Sequence, residues 1–154
     1  MTDKLILLKK DLSDFKETLK WLRRSISRCK PLVGKPSDDL SEEEIERVEA
    51  LMARFSRSID FIINRLLRGI DIVELEEPGS RLDIVIRAEK RGFIEDYKEL
   101  IVLKDLRNEL SHEYVGDELV EKIEEVLRAS EKVIEVGEKI VQYIEKTLLP
   151  KISS

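Results

Sequence analysis

Cysteine and histidine are nearly absent from this 154-residue chain, which contains one of each, Cys29 and His112. A single cysteine excludes an internal disulfide bond, and the two counts together argue against a transition-metal site built from these ligands. With only six glycines, the chain also has no glycine-rich phosphate loop, no dinucleotide-binding fingerprint and no nucleophile elbow. We therefore expect no bound metal and no cofactor.

Long apolar runs and side-chain amides are also scarce. No stretch approaches about 18 consecutive apolar residues, so we expect no membrane-spanning helix and no membrane partner. The N-terminal residues soon become amphipathic and do not resemble a signal peptide, so the expected location is cytoplasmic. Only Asn64, Asn108 and Gln142 carry amides, whereas charged residues make up 40% of the chain, a bias typical of thermophile proteins.

Apolar residues recur at spacings of three and four along most of the chain, as in amphipathic helices. Five helices are predicted, at about 3–30, 41–69, 80–90, 94–112 and 118–149. The acidic stretch 71–78 is expected to be a connector, in part extended, and Pro150 to end the last helix. Long helices joined by short loops predict an all-α, up-and-down helical bundle that forms one domain over residues 1–154.

The second predicted helix carries a basic face within an acidic chain. The formal net charge is −5, which argues against strong non-specific binding to nucleic acid, because phosphate neutralisation supplies most of that affinity. Five arginines nevertheless lie opposite the apolar arc of this helix: Arg47, Arg54, Arg57, Arg65 and Arg68. Phe61 is expected on the same face as these arginines. We consider Arg54, Arg57, Arg65 and Arg68 candidate RNA-binding residues. Alternatively, they form a solvated face balanced by nearby acids such as Asp60.

A short motif lies near the end of the fourth predicted helix. It consists of Arg107, Asn108, Ser111, His112 and Tyr114. This pattern resembles the Arg-Xaa4-His-Xaa-Tyr motif of HepT-like HEPN proteins, and the motif's place before a break and a long last helix is also similar to that family. The resemblance implies a dimeric helical bundle that acts as a metal-independent ribonuclease toxin. It also implies an MNT-type nucleotidyltransferase antitoxin as partner, with AMPylation of Tyr114 as one route of neutralisation.

The residue types of the motif suit RNA cleavage without a metal. Histidine titrates near neutrality, so His112 can move the protons of the 2′-hydroxyl and of the leaving 5′-oxygen. Arg107 can stabilise charge on the phosphate, and Asn108 can orient the phosphate or the imidazole. One histidine cannot easily be both acid and base, which favours a homodimer with two copies of the motif in one cleft. On an ideal helix Arg107 and His112 lie roughly 140° apart, so convergence needs either that cleft or a distorted helix.

Two other functions remain open. The chain could be a non-catalytic subunit that binds a substrate or nucleotide for a partner nucleotidyltransferase, which its acidic charge favours slightly. It could also be a plain dimerising helical bundle, which would explain the apolar seams but not the motif. In these interpretations Arg107 pairs with a nearby acid such as Asp105 or Glu109, and Tyr114 belongs to the core.

Overall fold

The computed structural model describes residues 2–74, 77, 79–111 and 117–153, and this part of the chain contains helices and turns but no strand. Eight α-helices follow in order in the described part: α1 (Asp3–Cys29), α2 (Glu42–Phe61), α3 (Arg68–Val73), α4 (Arg81–Lys90), α5 (Tyr97–Leu110), α6 (Asp117–Glu121), α7 (Ile123–Tyr143) and α8 (Leu149–Ser153). Wide π turns at Ile62–Leu67 and Ile144–Leu148 join α2 to α3 and α7 to α8. The all-α helical bundle predicted from the sequence is thus confirmed.

The core of the bundle lies between α1, α2 and α7. Phe15 of α1, Phe55 of α2 and Ile140 of α7 are each 0% exposed. Ion pairs show the helix directions: Arg65, in the π turn after α2, lies 4.0 Å from Asp11 near the start of α1, whereas Arg23 of α1 pairs with Glu138 of α7. Side-chain contacts farther along each helix agree, so α1 is antiparallel to both α2 and α7.

Polar caps set two of the helix starts as the sequence predicts. Ser41 accepts a hydrogen bond from the backbone N–H of Glu44, and the Glu44 carboxylate accepts one from the N–H of Ser41. The same reciprocal arrangement joins Ser80 and Asp83 at the start of α4. Such capping boxes satisfy donors that the first helical turn leaves free. Gly92, with φ of 83°, ends α4 in the left-handed conformation that glycine adopts readily.

The second predicted helix is longer than expected, and one side chain predicted on its exposed face is buried. Through the π turn, helical structure continues past Gly69 to Val73, so the prediction that the connector begins at residue 71 is wrong. The helix continues because Ile70 and Asp71 are both 0% exposed and packed into the bundle. Phe61, predicted among the exposed arginines, is 8% exposed and packs on Phe15 with ring centroids 5.6 Å apart. Helices lie on more than one side of α2, which widens its buried arc.

Pro150 does not end the last helix, contrary to the prediction. It lies in α8, directly after the π turn in which the N–H of Leu149 donates to the carbonyl of Ile144. Proline has no N–H and its ring crowds the preceding turn, so a regular α-helix would be disrupted here. The wider turn changes the hydrogen-bond pattern just before the proline, and the helix resumes. At its other end the predicted helix is divided at Lys122 into α6 and α7.

A buried carboxylate network fixes α4 against the bundle. Asp71 accepts hydrogen bonds from Arg87 at 3.0 Å and from Arg91 at 2.7 Å, both on α4. Arg91 also lies 3.3 Å from the carboxylate of Glu74, which in turn accepts a 2.8 Å hydrogen bond from the Tyr143 hydroxyl on α7. Two arginines thus neutralise the buried charge and connect α3, α4 and α7.

Within the described part of the chain, no helix is long and apolar enough to span a membrane.

Gly137 marks the closest approach of α7 to α1. A Cβ at this position would lie 2.9 Å from Phe15 Cζ and 3.0 Å from Leu19 Cδ1. We expect Gly137→Ala to lower the free energy of unfolding by about 1–3 kcal/mol, because overpacking displaces buried side chains. Urea denaturation measures the change. Gly69→Ala is the comparison, since its Cβ would meet only one leucine methyl, at 3.2 Å. Equal stability of the two variants would contradict the close packing at Gly137.

Candidate functional site

Arg107 of the motif is held by a carboxylate from another helix. It lies in the last turn of α5, and its Nε donates hydrogen bonds to both carboxylate oxygens of Asp60 on α2, each at 2.9 Å. Lys104, one turn earlier on α5, donates to Asp60 Oδ1 at 2.9 Å. The side chains of Arg107 and Asp60 are each 28% exposed. Asp60, rather than a neighbour on α5, therefore fixes the direction of Arg107.

The pairing leaves the outer edge of the guanidinium open. Neither terminal amino group (Nη) of Arg107 donates to another residue within the described ranges, whereas Nε is fully engaged by Asp60. Because Lys104 also contacts Asp60, two positive charges face one negative charge. An excess of positive charge, with two terminal amino groups that no described residue engages, is suited to bidentate binding of a phosphate.

Two of the predicted RNA-binding arginines lie beside Arg107. Arg57 and Arg65 of the α2 region line an open groove of about 420 Å³ together with Arg107, Asp60 and Asn64. The structure thus brings residues that are about 40–50 positions apart in the sequence to one surface. We call it the Arg107 groove.

Two other predicted residues lie elsewhere. Arg54 points away from the Arg107 groove: it donates a 2.8 Å hydrogen bond to Ser25 Oγ and lies over the Trp21 ring, 5.1 Å from its centroid. Arg54 therefore does not line the Arg107 groove, because side chains of α1 engage it, and its predicted contact with RNA stays a prediction. Arg68 lines a neighbouring groove between α1 and α3.

The remaining motif residues are only partly described. Asn108 is exposed and does not line the Arg107 groove. The helix α5 ends at Leu110, and the Ser111 hydroxyl caps the turn by donating to the carbonyl of Asn108 at 2.6 Å. His112 and Tyr114 lie outside the described residues, so their predicted roles stay predictions. The expected angle between Arg107 and His112 likewise stays a prediction.

Sequence reasoning missed Asp60 and Lys104 as parts of this site. The sequence indicates Asp60 only as one of several acids that balance the arginine face. A signal was present, because Asp60 is the one acidic residue between Arg54 and Arg68. Lys104 precedes Arg107 by three residues, which places both on the same side of a helix. The pairing itself depends on how α5 packs against α2, which local sequence does not specify.

The site offers neither a metal cluster nor a reactive thiol in the described residues. No group of three or more histidine, cysteine or carboxylate side chains is gathered there in a way that could hold a metal ion. Cys29 is 0% exposed, and burial raises the pKa of its thiol to about 11. A buried, protonated thiol is a poor nucleophile, so Cys29 is structural.

Comparison of the chain with known protein families, with curated proteins and with solved structures found no match.

The Asp60 carboxylate should contribute to stability through its two cationic partners. We expect Asp60→Asn to lower the free energy of unfolding by about 1–2 kcal/mol, because Lys104 and Arg107 would lose the charge that pairs them. Urea denaturation tests this. Asp14→Asn is the matched control: Asp14 forms an exposed pair with Lys10, so its loss should change stability by less than about 0.5 kcal/mol. Equal effects of both substitutions would mean that Asp60 does not anchor α5.

Proposed function

We propose that the protein is a metal-independent endoribonuclease toxin of a toxin–antitoxin pair. One observation carries the proposal: Arg107, with its Nη groups open, lies with Arg57 and Arg65 along one groove at the end of the helix that leads to His112. Guanidinium groups and a histidine are the residue types that phosphodiester cleavage without a metal requires. The resemblance of the motif to HepT-like HEPN proteins supports the same function.

In this proposal Arg107, Asp60 and His112 have separate roles. Arg107 binds the scissile phosphate through its Nη groups, while Asp60 keeps Nε engaged and the guanidinium oriented. His112 accepts the proton of the 2′-hydroxyl as the 2′-oxygen attacks phosphorus. The bond from phosphorus to the 5′-oxygen breaks, and the partner subunit's His112 donates a proton to that oxygen, which leaves a 2′,3′-cyclic phosphate. Two protomers are needed because each chain has one histidine.

Neutralisation is proposed to come from an MNT-type nucleotidyltransferase antitoxin. Transfer of AMP to the Tyr114 hydroxyl would place a negative phosphate two residues from His112. That charge would occupy the region in which the RNA phosphate must lie and would repel it. The same chemistry explains why a tyrosine follows the histidine in the motif.

The test of catalysis is RNA cleavage by the purified protein in EDTA. We expect cleavage by the wild type, loss of cleavage and of growth inhibition for His112→Ala, and about a hundredfold slower cleavage for Arg107→Gln, because a cation that stabilises the phosphorane is removed. Arg128→Gln is the control for loss of a positive charge, since Arg128 is an exposed arginine of α7 outside the Arg107 groove. Its cleavage rate should equal that of the wild type.

Absence of cleavage by the wild type across several RNAs would overturn the nuclease proposal. It would favour a non-catalytic subunit that binds a substrate or nucleotide for a nucleotidyltransferase. One observation fits that second function: the Arg107 guanidinium is already paired with Asp60, so it could serve as a structural contact or as a binding group rather than in catalysis. Cleavage that persists in His112→Ala would instead exclude His112 as the proton-transfer group.

The modification of Tyr114 has a separate test. When the protein is mixed with its nucleotidyltransferase partner and ATP, we expect the intact mass to increase by one AMP. Tyr114→Phe should show no such increase, because the acceptor hydroxyl is missing. Tyr97→Phe is the control, since Tyr97 begins α5 at the opposite end from the motif. An adduct on Tyr114→Phe would place the modification at another residue.

A further inference from the structure

A second groove continues the Arg107 groove around the π turn at Ile62–Leu67. It has a volume of about 490 Å³ and lies between the N-terminal half of α1 and the end of the α2–α3 helix. Asn64 and Arg65 line both grooves, so the two share a wall. Both residues belong to the π turn, and both are exposed. Wide turns of this kind are frequent at functional sites because they redirect side chains that a regular helix would space differently.

Positive charge is concentrated along this joined surface. Six cations line the two grooves, against the carboxylates of Asp11 and Asp60: Lys4, Lys10, Arg57, Arg65, Arg68 and Arg107. Lys4, Arg57 and Arg68 form no ion pair with any residue that the structure describes. In a chain with a net charge of −5, cations without partners that gather on one surface indicate an anionic ligand.

The other grooves of the described structure are different. The groove between α1 and α7 has four cations and three carboxylates, and Lys16 and Arg23 pair there with Glu145 and Glu138. The groove between α5 and α7 has three cations and four carboxylates. The excess of cations is therefore larger on the surface that includes Arg107 than in these two grooves.

The second groove also offers apolar contact surface. Leu7 is 58% exposed and lines the groove between Lys4 and Lys10. Ile72 lies on the opposite wall and is partly buried. A ligand with a regular row of negative charges and flat apolar groups matches this surface better than a free anion does. Single-stranded nucleic acid has both features.

We propose that the strand of RNA beyond the cleavage site lies in the groove between α1 and α3, where Lys4, Lys10 and Arg68 bind its phosphates. Arg65 bridges the phosphates of the two grooves. This inference rests on the proposed function, because the RNA enters the groove from the Arg107 site. It extends that function from a point of cleavage to a path for several nucleotides on one protomer.

The experiment measures binding of a fluorescein-labelled single-stranded RNA of about 20 nucleotides, longer than a typical single-strand site, by fluorescence anisotropy across a series of KCl concentrations. All variants carry His112→Ala so that the RNA stays intact. Lys4→Gln with Arg68→Gln is the test pair. Lys139→Gln with Lys146→Gln is the matched control, because both lysines line the groove between α1 and α7 and the charge change is the same. Thermal unfolding of each variant verifies folding.

We expect the test pair to weaken binding about tenfold at about 50 mM KCl and to reduce the slope of log affinity against log salt by about 1.4, the value for two lost phosphate contacts on a single strand. The control pair should change the affinity less than about twofold, with an unchanged slope. A purely structural role for Lys4 and Arg68 would lower stability without changing the slope.

The outcomes separate this inference from the proposed function. If the wild type cleaves RNA but the test pair keeps the affinity and slope of the control, the path along α1 and α3 is wrong and the nuclease stands. If the slope falls as expected but the wild type cleaves no RNA, the inferred RNA path is supported and the proposed nuclease activity is wrong. If RNA does not bind even at low salt and the wild type cleaves no RNA, both are wrong.

Discussion

The buried carboxylate of Asp71 is the constraint on which the second half of the structure depends. It is 0% exposed, and a buried ion that loses its partner destabilises a protein by about 3–5 kcal/mol. Its partners, Arg87 and Arg91, both belong to α4. A helix of 10 residues is marginal on its own, so its position follows from this charge pairing and from the burial of Ile84 and Ala88.

The position of α4 in turn determines that of α5. Gly92 turns the chain between them, and the Glu89 carboxylate accepts a 3.0 Å hydrogen bond from the N–H of Tyr97, the first residue of α5. At the far end, Asp60 engages Lys104 and Arg107. A carboxylate therefore holds α5 near each end, Glu89 at the start and Asp60 near the last turn. Arg107 lies at the contact with Asp60. A rigid guanidinium at the end of a fixed helix needs little reorganisation to bind phosphate.

The sequence predicts those features that depend on local chemistry. The capping boxes at Ser41 and Ser80 define helix starts, and the apolar seams define the helical class, because both effects act over a few residues. The extent of α3 was not predictable in this way. Asp71 is helical because it meets two arginines 16 and 20 residues later in the chain, and an acidic stretch read locally resembles a connector.

In the candidate site, too, the sequence predicts what depends on local chemistry and does not predict contacts between helices. The motif identifies Arg107 as a candidate site residue, because an arginine and a histidine at this spacing indicate phosphate chemistry before the fold is known. Its contact with Asp60 spans 47 residues and depends on the packing of α5 on α2. The helical wheel also cannot distinguish Arg54 from Arg57, because the difference comes from Trp21 and Ser25 of another helix. Helical periodicity therefore does not predict which side chains a neighbouring helix contacts.

Because of the π turn at Ile62–Leu67, the number of residues in this helix determines which side chains reach the candidate site. Loops of the bundle can gain or lose a residue with little effect on what they connect. Deletion of one residue from this turn would instead rotate everything after it by about 100° relative to what precedes it. Arg65 and Arg68 would then leave the surface shared with Arg57 and Arg107, although every charged residue would still be present.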